Sequence, residues 1–108
     1  MLNITAVGNL GGDPELKELG SGPVATFSLG ARTGKDNTTW ISCSVFGKRA
    51  EIIMQYFSKG SRVTVNGRGN LRFYEGRGGE ARTSLDLIVN EFSLPEKKSD
   101  PKRQQTDF

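Results

Sequence analysis

The chain has 108 residues, 34% hydrophobic and 25% charged, with a formal net charge of +3, which fits one small domain with a modest core and leaves no room for a second. Histidine is absent and cysteine occurs once, so a Ser-His-Asp triad, a Cys-His pair, a structural zinc site and a disulfide framework are all excluded. The purely apolar runs, Ile52 to Met54 and Leu87 to Val89, are too short to span a membrane, and Met1 to Thr5 lacks a charged start and an apolar core, so a cytoplasmic location is expected.

In chain order, Leu2 to Gly8 alternates and reads as a half-buried strand with Leu2, Ile4 and Ala6 inward. Gly11-Gly12-Asp13-Pro14 is expected to turn the chain, Glu15 to Leu19 to be a short extended piece, and Gly20-Ser21-Gly22-Pro23 to break it. Val24 to Ala31 is a second strand, with Ala25, Phe27, Leu29 and Ala31 inward, and Arg32 to Thr38 is a polar loop. The third strand, Thr39 to Phe46, is the most informative. Ile41, Cys43 and Val45 form a core face, while the other face puts Trp40 and Phe46 beside Ser42 and Ser44. A buried face seldom mixes large aromatics with small hydroxyls, because serines add little apolar area and need partners when buried.

After Gly47 the period changes to about 3.6, with Ala50, Ile53, Met54 and Phe57 on one stripe, which predicts one amphipathic helix. Lys59 in its last turn and Gly60 as its left-handed cap are expected to end it. Alternation resumes from Arg62 to Tyr74, where Val63, Val65, Leu71 and Phe73 form one set and Arg62, Arg68, Arg72 and Tyr74 belong to the other. A bulge at Gly67 or Gly69 would exchange the faces beyond it, leaving Phe73 and Tyr74 as alternatives for the exposed platform. Glu75 to Ala81 reads as a Gly-rich hairpin and Arg82 to Glu91 as the last strand, with Leu85, Leu87 and Val89 inward. Residues 1–94 are thus expected to be one domain and residues 95–108, polar until Phe108, a flexible tail.

Three strands, one short helix and two strands is the order of the all-β, five-stranded Greek-key OB barrel with a helix between strands three and four. From Arg32 to Arg82 ten cations stand against four acids, which fits an anion-binding surface and equally a solvated basic face. The strand face and loops that bind ligands in OB folds would hold Trp40, Phe46, Arg72, Tyr74 and Arg77. Aromatics interleaved with cations suit unpaired bases and their phosphates, whereas a duplex hides its base faces. Arg32, Arg49 and Arg62 are further candidate phosphate contacts within the basic stretch.

Val7 through Gly11-Gly12-Asp13-Pro14 to Leu16, Trp40 through Val45-Phe46-Gly47-Lys48-Arg49-Ala50-Glu51, and Tyr56 to Ser61 with Val63, Val65 and Gly67 resemble the bacterial-type single-stranded DNA-binding proteins. The resemblance covers roughly residues 1 to 94. It implies non-enzymatic, largely sequence-independent binding of single-stranded DNA in replication, recombination and repair, usually by a homotetramer, with no cofactor or metal. By position it makes Trp40 and Phe46 stacking residues, Tyr74 another aromatic contact, and Lys48, Lys59 and Arg72 cations near the DNA path. Two features depart from the family. The loop from Arg32 to Thr38 is shorter than in many relatives. Pro95 to Phe108 carries four cations and three acids in place of an acidic tip, leaving Asp107 and Phe108 as the candidates for recruiting replication and repair proteins. A primosome-type accessory module acting through protein contacts and an RNA-binding OB module are the competing readings.

Overall fold

The computed structural model describes residues 1–94, so the expected tail, with Asp107 and Phe108, lies outside the described residues. The strands are β1 (Asn3–Leu10), β2 (Glu15–Leu19), β3 (Gly22–Arg32), β4 (Thr38–Phe46), β5 (Arg62–Glu75) and β6 (Ala81–Phe92), with one helix, α1 (Arg49–Tyr56), between β4 and β5. β1 pairs with β5, β5 with β6, β6 with β4, β4 with β3, and β3 returns to β1. The β4–β6 pairing alone is parallel. This circuit is the expected barrel, and β2 is a sixth strand added to it.

The turn expected at Gly11 to Pro14 is a bend and not a reversal. β1 and β2 both run antiparallel to β3 and share one of its edges, β2 facing residues 22–26 and β1 facing Leu29 and Gly30. The chain therefore bends at these residues and continues in the same direction, with the Gly11 amide donating to the Ser28 carbonyl at 2.9 Å. Reversal comes later, at Gly20 and Ser21, where Leu19 faces Gly22 and Gly22 takes φ +121°. At the closure β1 crosses β3 so tightly that a Cβ on Gly8 would stand 2.2 Å from the Gly30 carbonyl oxygen, so only glycine fits there.

Alternation places the core as expected except at Leu2, which precedes β1 and is half-exposed. Leu29, Val45, Val63, Val65 and Leu87 are fully buried, and the described residues contain no buried polar or charged side chain. The eight residues of α1 are too few to be stable in isolation, and packing holds them. Ala50 and Ile53 are fully buried, and Phe57, just past the helix, meets Phe27 at 6.1 Å and Phe92 edge-on at 5.8 Å between ring centroids. Burying an aromatic of this kind contributes about 1.5–3 kcal/mol. The expected helix end is corrected. The helix stops at Tyr56, Phe57 is extended, no basic residue lies in the last turn, and Gly60 (φ +88°) serves the following turn, in which the Ser61 amide donates to the Ser58 carbonyl at 2.9 Å. Met54 is exposed, outside the buried stripe.

The bulge lies on β6. Val65 faces Phe92 and Asn66 faces Glu91, but Gly67 faces Val89, so Asn90 is the extra residue. The alternation of β5 is therefore unbroken, and that of β6 changes phase between Val89 and Phe92, which lets Phe92 pack against the core. A Cβ at Gly67 would stand 2.0 Å from the Ile88 carbonyl oxygen, which explains the glycine opposite the bulge. Toward its tip, from Leu71 to Glu75, β5 is exposed on both sides, and the β5–β6 hairpin stands off the barrel.

Candidate nucleic-acid interface

Cross-strand register assembles the site from four strands. On β4 the outward residues are Trp40, Ser42, Ser44 and Phe46; they face Gly30, Ser28, Thr26 and Val24 on β3. On the other side Ser42 faces Asp86 and Ser44 faces Ile88 on β6. Asp86 faces Asn70, Ile88 faces Arg68, Ser84 faces Arg72 and Arg82 faces Tyr74 on β5. Since side chains alternate across a sheet, these residues share one outer surface. Tyr74 thus belongs with Trp40 and Phe46, whereas Phe73 falls on the opposite side of the hairpin with Leu71.

The aromatics are available. Trp40 is 57% exposed, Phe46 44%, Tyr74 44% and Phe73 73%. The Trp40 indole rests against backbone: a Cβ on Gly11 would lie 2.5 Å from its ring and one on Gly30 3.0 Å. Glycine at both places lets the ring settle onto the sheet. Trp40 and Phe46 are six residues apart on one strand, about 20 Å, and the two serines between them leave the floor low. Grooves flank this floor on both sides and share Ser42 and Ser44. One, of about 540 Å³, runs from Trp40 to Gly11, Asp13 and Glu15. The other, of about 950 Å³, is bordered by Phe46, Ile88, Leu2, Arg68, Asn70 and Asp86.

The cations divide. Arg72 donates from Nε to the Asp86 carboxylate at 3.0 Å and its guanidinium lies 5.4 Å from the Tyr74 ring centroid. Arg82 is paired with Glu80 at 2.9 Å. Arg68 has no ion pair among the described residues and lines the larger groove. Arg32, facing Thr38, extends the same outward row beyond Trp40. Lys59 adjoins the Trp40 groove through its backbone amide, which donates to Asp13 Oδ1 at 2.8 Å. Lys48 stands at the N-terminus of α1, two residues after Phe46, and Arg77 in the hairpin loop. Two sequence candidates lie apart from the aromatic face. Arg49 donates to the Asn90 and Val89 carbonyls and covers the Phe92 ring at 5.7 Å, holding the bulge. Arg62 faces Asn9 at the far end of β5 from Tyr74.

Sequence reasoning passed over Arg68, Asp86 and Ile88 as site residues. Arg68 was legible from its alternation with Arg72 and Tyr74, but Asp86 and Ile88 join the face only through the parallel β4–β6 register. The Asp86 carboxyl is held below the usual aspartate value, chiefly by its hydrogen bond from Arg72 and also by that from Ser84, against desolvation. Beneath the floor, burial pushes the Cys43 thiol up to about 12, so Cys43 acts as a small core hydrophobe, as expected. The described residues contain no cluster of His, Cys, Asp or Glu that could hold a metal ion.

Residues 1–95 match the model of the single-strand binding protein family. Among curated relatives, the single-stranded DNA-binding protein of Clostridium perfringens is 38% identical over 98 residues, covering 87% of this chain and 65% of that protein. That of Neisseria meningitidis serogroup A is 34% identical over 100 residues, covering 84% and 58%. The chain thus spans somewhat under two thirds of the length of these relatives. The crystal structure of the small single-stranded DNA-binding protein from Streptomyces coelicolor superposes with a TM-score of 0.73 at 26% identity, covering 86% of this chain and 93% of that one.

Proposed function

We propose that this chain, which belongs to the single-strand binding protein family, binds single-stranded DNA largely independently of sequence and serves in replication, recombination and repair by binding rather than catalysis. The observation that carries this is the row of exposed Trp40 and Phe46 on a low serine floor, continued across β6 to Tyr74 on β5. Bases stack on such rings whatever their identity, since every base has a π-face. Arg32, Lys48, Lys59, Arg68 and Arg77 supply phosphate contacts around the aromatic row, and Arg72 contributes from its place over Tyr74. Of the two candidate platforms at the hairpin, Tyr74 is the one that shares the row.

The same reading makes the molecule a homotetramer acting in the cytoplasm at the nucleoid. Its support is the exposed Val7 on the outer side of β1 and the exposed Ile52 and Tyr56 of α1, apolar surface that subunits could cover. Among the described residues no helix is long and apolar enough to cross a membrane. Recruitment of replication and repair proteins would fall to Asp107 and Phe108. The test is competitive titration of Trp40 fluorescence with oligo-dT, RNA of equal length and duplex DNA at one stated salt concentration, with mass determination in parallel. Tightest binding to single-stranded DNA by a tetramer is expected. A preference for RNA would favour the RNA-binding module, and a dimer with feeble affinity the accessory module.

A further inference from the structure

The proposed binding face carries an acid at its centre, where a polyanion would be expected to meet only cations and neutral groups. Asp86 stands between Ser42 on β4 and Asn70 on β5 and borders the groove of about 950 Å³ with Phe46, Ile88 and Arg68. Its carboxylate accepts a hydrogen bond from Arg72 Nε at 3.0 Å and one from the Ser84 hydroxyl at 2.8 Å, and about a third of the side chain stays exposed. A phosphate laid over this point would face a like charge in a partly desolvated groove. A strand crossing the face must therefore turn bases toward Asp86 and phosphates toward the surrounding cations.

A carboxylate offers about four lone-pair positions, and Arg72 and Ser84 take one each. What remains open is an acceptor with no donor, and the bases differ in what they bring to it. Guanine presents N1–H beside its N2 amine and can donate both at once. Cytosine and adenine each present one exocyclic amine. Thymine presents N3–H between two carbonyl oxygens, which a carboxylate repels. We propose that Asp86 reads bases, giving this single-strand interface a modest preference for guanine over thymine on top of its general stacking. The proposal rests on the single-stranded DNA reading of the same face.

The experiment titrates the full chain, at one stated salt concentration, with two labelled oligonucleotides of equal length followed by anisotropy. One is all thymine; the other has guanine at every third position, too sparse for guanine quadruplexes. Bidentate readout in a dry groove exceeds tenfold, and competition from water and Arg72 brings the expectation to about fivefold tighter binding of the guanine-containing strand. Asp86→Asn should strengthen binding to the all-thymine strand, since a negative charge is gone, and bring the ratio of the two affinities close to one. The ratio decides, because any general change in phosphate attraction cancels in it. Arg72→Met keeps the carboxylate and removes a competitor for it, so the ratio should hold or rise. Should Asp86→Asn fail to fold by circular dichroism, Asp86→Thr, β-branched and suited to a strand, serves the same comparison. Equal binding of both strands by the wild type, a ratio untouched by the Asp86 variant, or a ratio lost in Arg72→Met would each overturn the proposal. Absence of binding to either strand would instead refute the single-strand reading itself and the proposal with it.

Discussion

Truncating Trp40 to alanine separates a stacking platform from a core residue, because the two roles predict opposite patterns of loss. With the ring 57% exposed, a little under half of the roughly 250 Å² that a tryptophan can bury is covered, about 100 Å². At about 25 cal/mol per Å² this sets an upper bound of about 2.5 kcal/mol on the folding stability lost. A core tryptophan would cost about 3–5 kcal/mol and leave a cavity. Binding should suffer independently: one lost base stack is worth about 1–3 kcal/mol, or about 5- to 150-fold in Kd. The assay is anisotropy of a labelled oligo-dT at one stated salt concentration, with thermal unfolding of the same samples to establish that the variant is folded. Trp40→Phe should recover most of the affinity, since a smaller ring still offers a face. Unchanged affinity in a folded Trp40→Ala variant would refute the stacking role, and with it the assignment of the β4 face as the interface.

The hairpin tip gives a second contrast: Tyr74→Ala should weaken binding by about 1–3 kcal/mol, while Phe73→Ala, changed on the opposite side of the strand, should leave affinity within about twofold by the same anisotropy titration. If cations on the face neutralise phosphates, log affinity should fall linearly with log salt, with a slope of about −0.7 per contact, and Arg68→Ala should flatten it by one contact where Arg49→Ala leaves it alone; a slope indifferent to Arg68 would remove that residue from the path. Because the hydrogen bond from Arg72 holds the folded-state pKa of Asp86 below its usual 3.8, the carboxylate stabilises the fold above that value, and this contribution is lost as pH falls through the lowered folded pKa. Thermal unfolding followed from pH 6 downward should therefore show a shallower acid loss in Asp86→Asn than in the wild type.

The parts of the fold that depend on a local period were legible. Ile41, Cys43 and Val45 alternate with Trp40, Ser42, Ser44 and Phe46, and the structure keeps those two sets on opposite faces. The turn to a period near 3.6 after Gly47 located the helix. Its end was misread because Lys59 and Gly60 satisfy the rule for a helix C-terminus, while the burial of Phe57 between Phe27 and Phe92 decides where the chain leaves α1. Likewise Gly11 to Pro14 has the composition of a reversal, and only the pairing of β1 and β2 with the same edge of β3 shows a bend. The seat of Trp40 on Gly11 and Gly30 joins residues 29 and 10 positions away from it, and no spacing rule reaches across such a gap. Asp86 lies beyond sequence reading for the same reason.

The position of the bulge shows how little separates this interface from a different one. A one-residue slip moves every later side chain of a strand to the other face. On β5 such a slip at Gly67 or Gly69 would have carried Arg72 and Tyr74 to the opposite side of the hairpin and presented Leu71 and Phe73 beside Ser84 and Asp86. With the extra residue at Asn90 on β6, the phase change falls after Ile88, beyond the last residue of that strand to border either groove. Residues 84 to 88 keep their outward set, and Phe92 still turns in to close the core against Phe57. Arg49 fixes this arrangement by donating to the Asn90 and Val89 carbonyls, backbone groups that the irregular ladder exposes. Arg49 thus holds the bulge at a place that leaves the row from Trp40 to Tyr74 undisturbed.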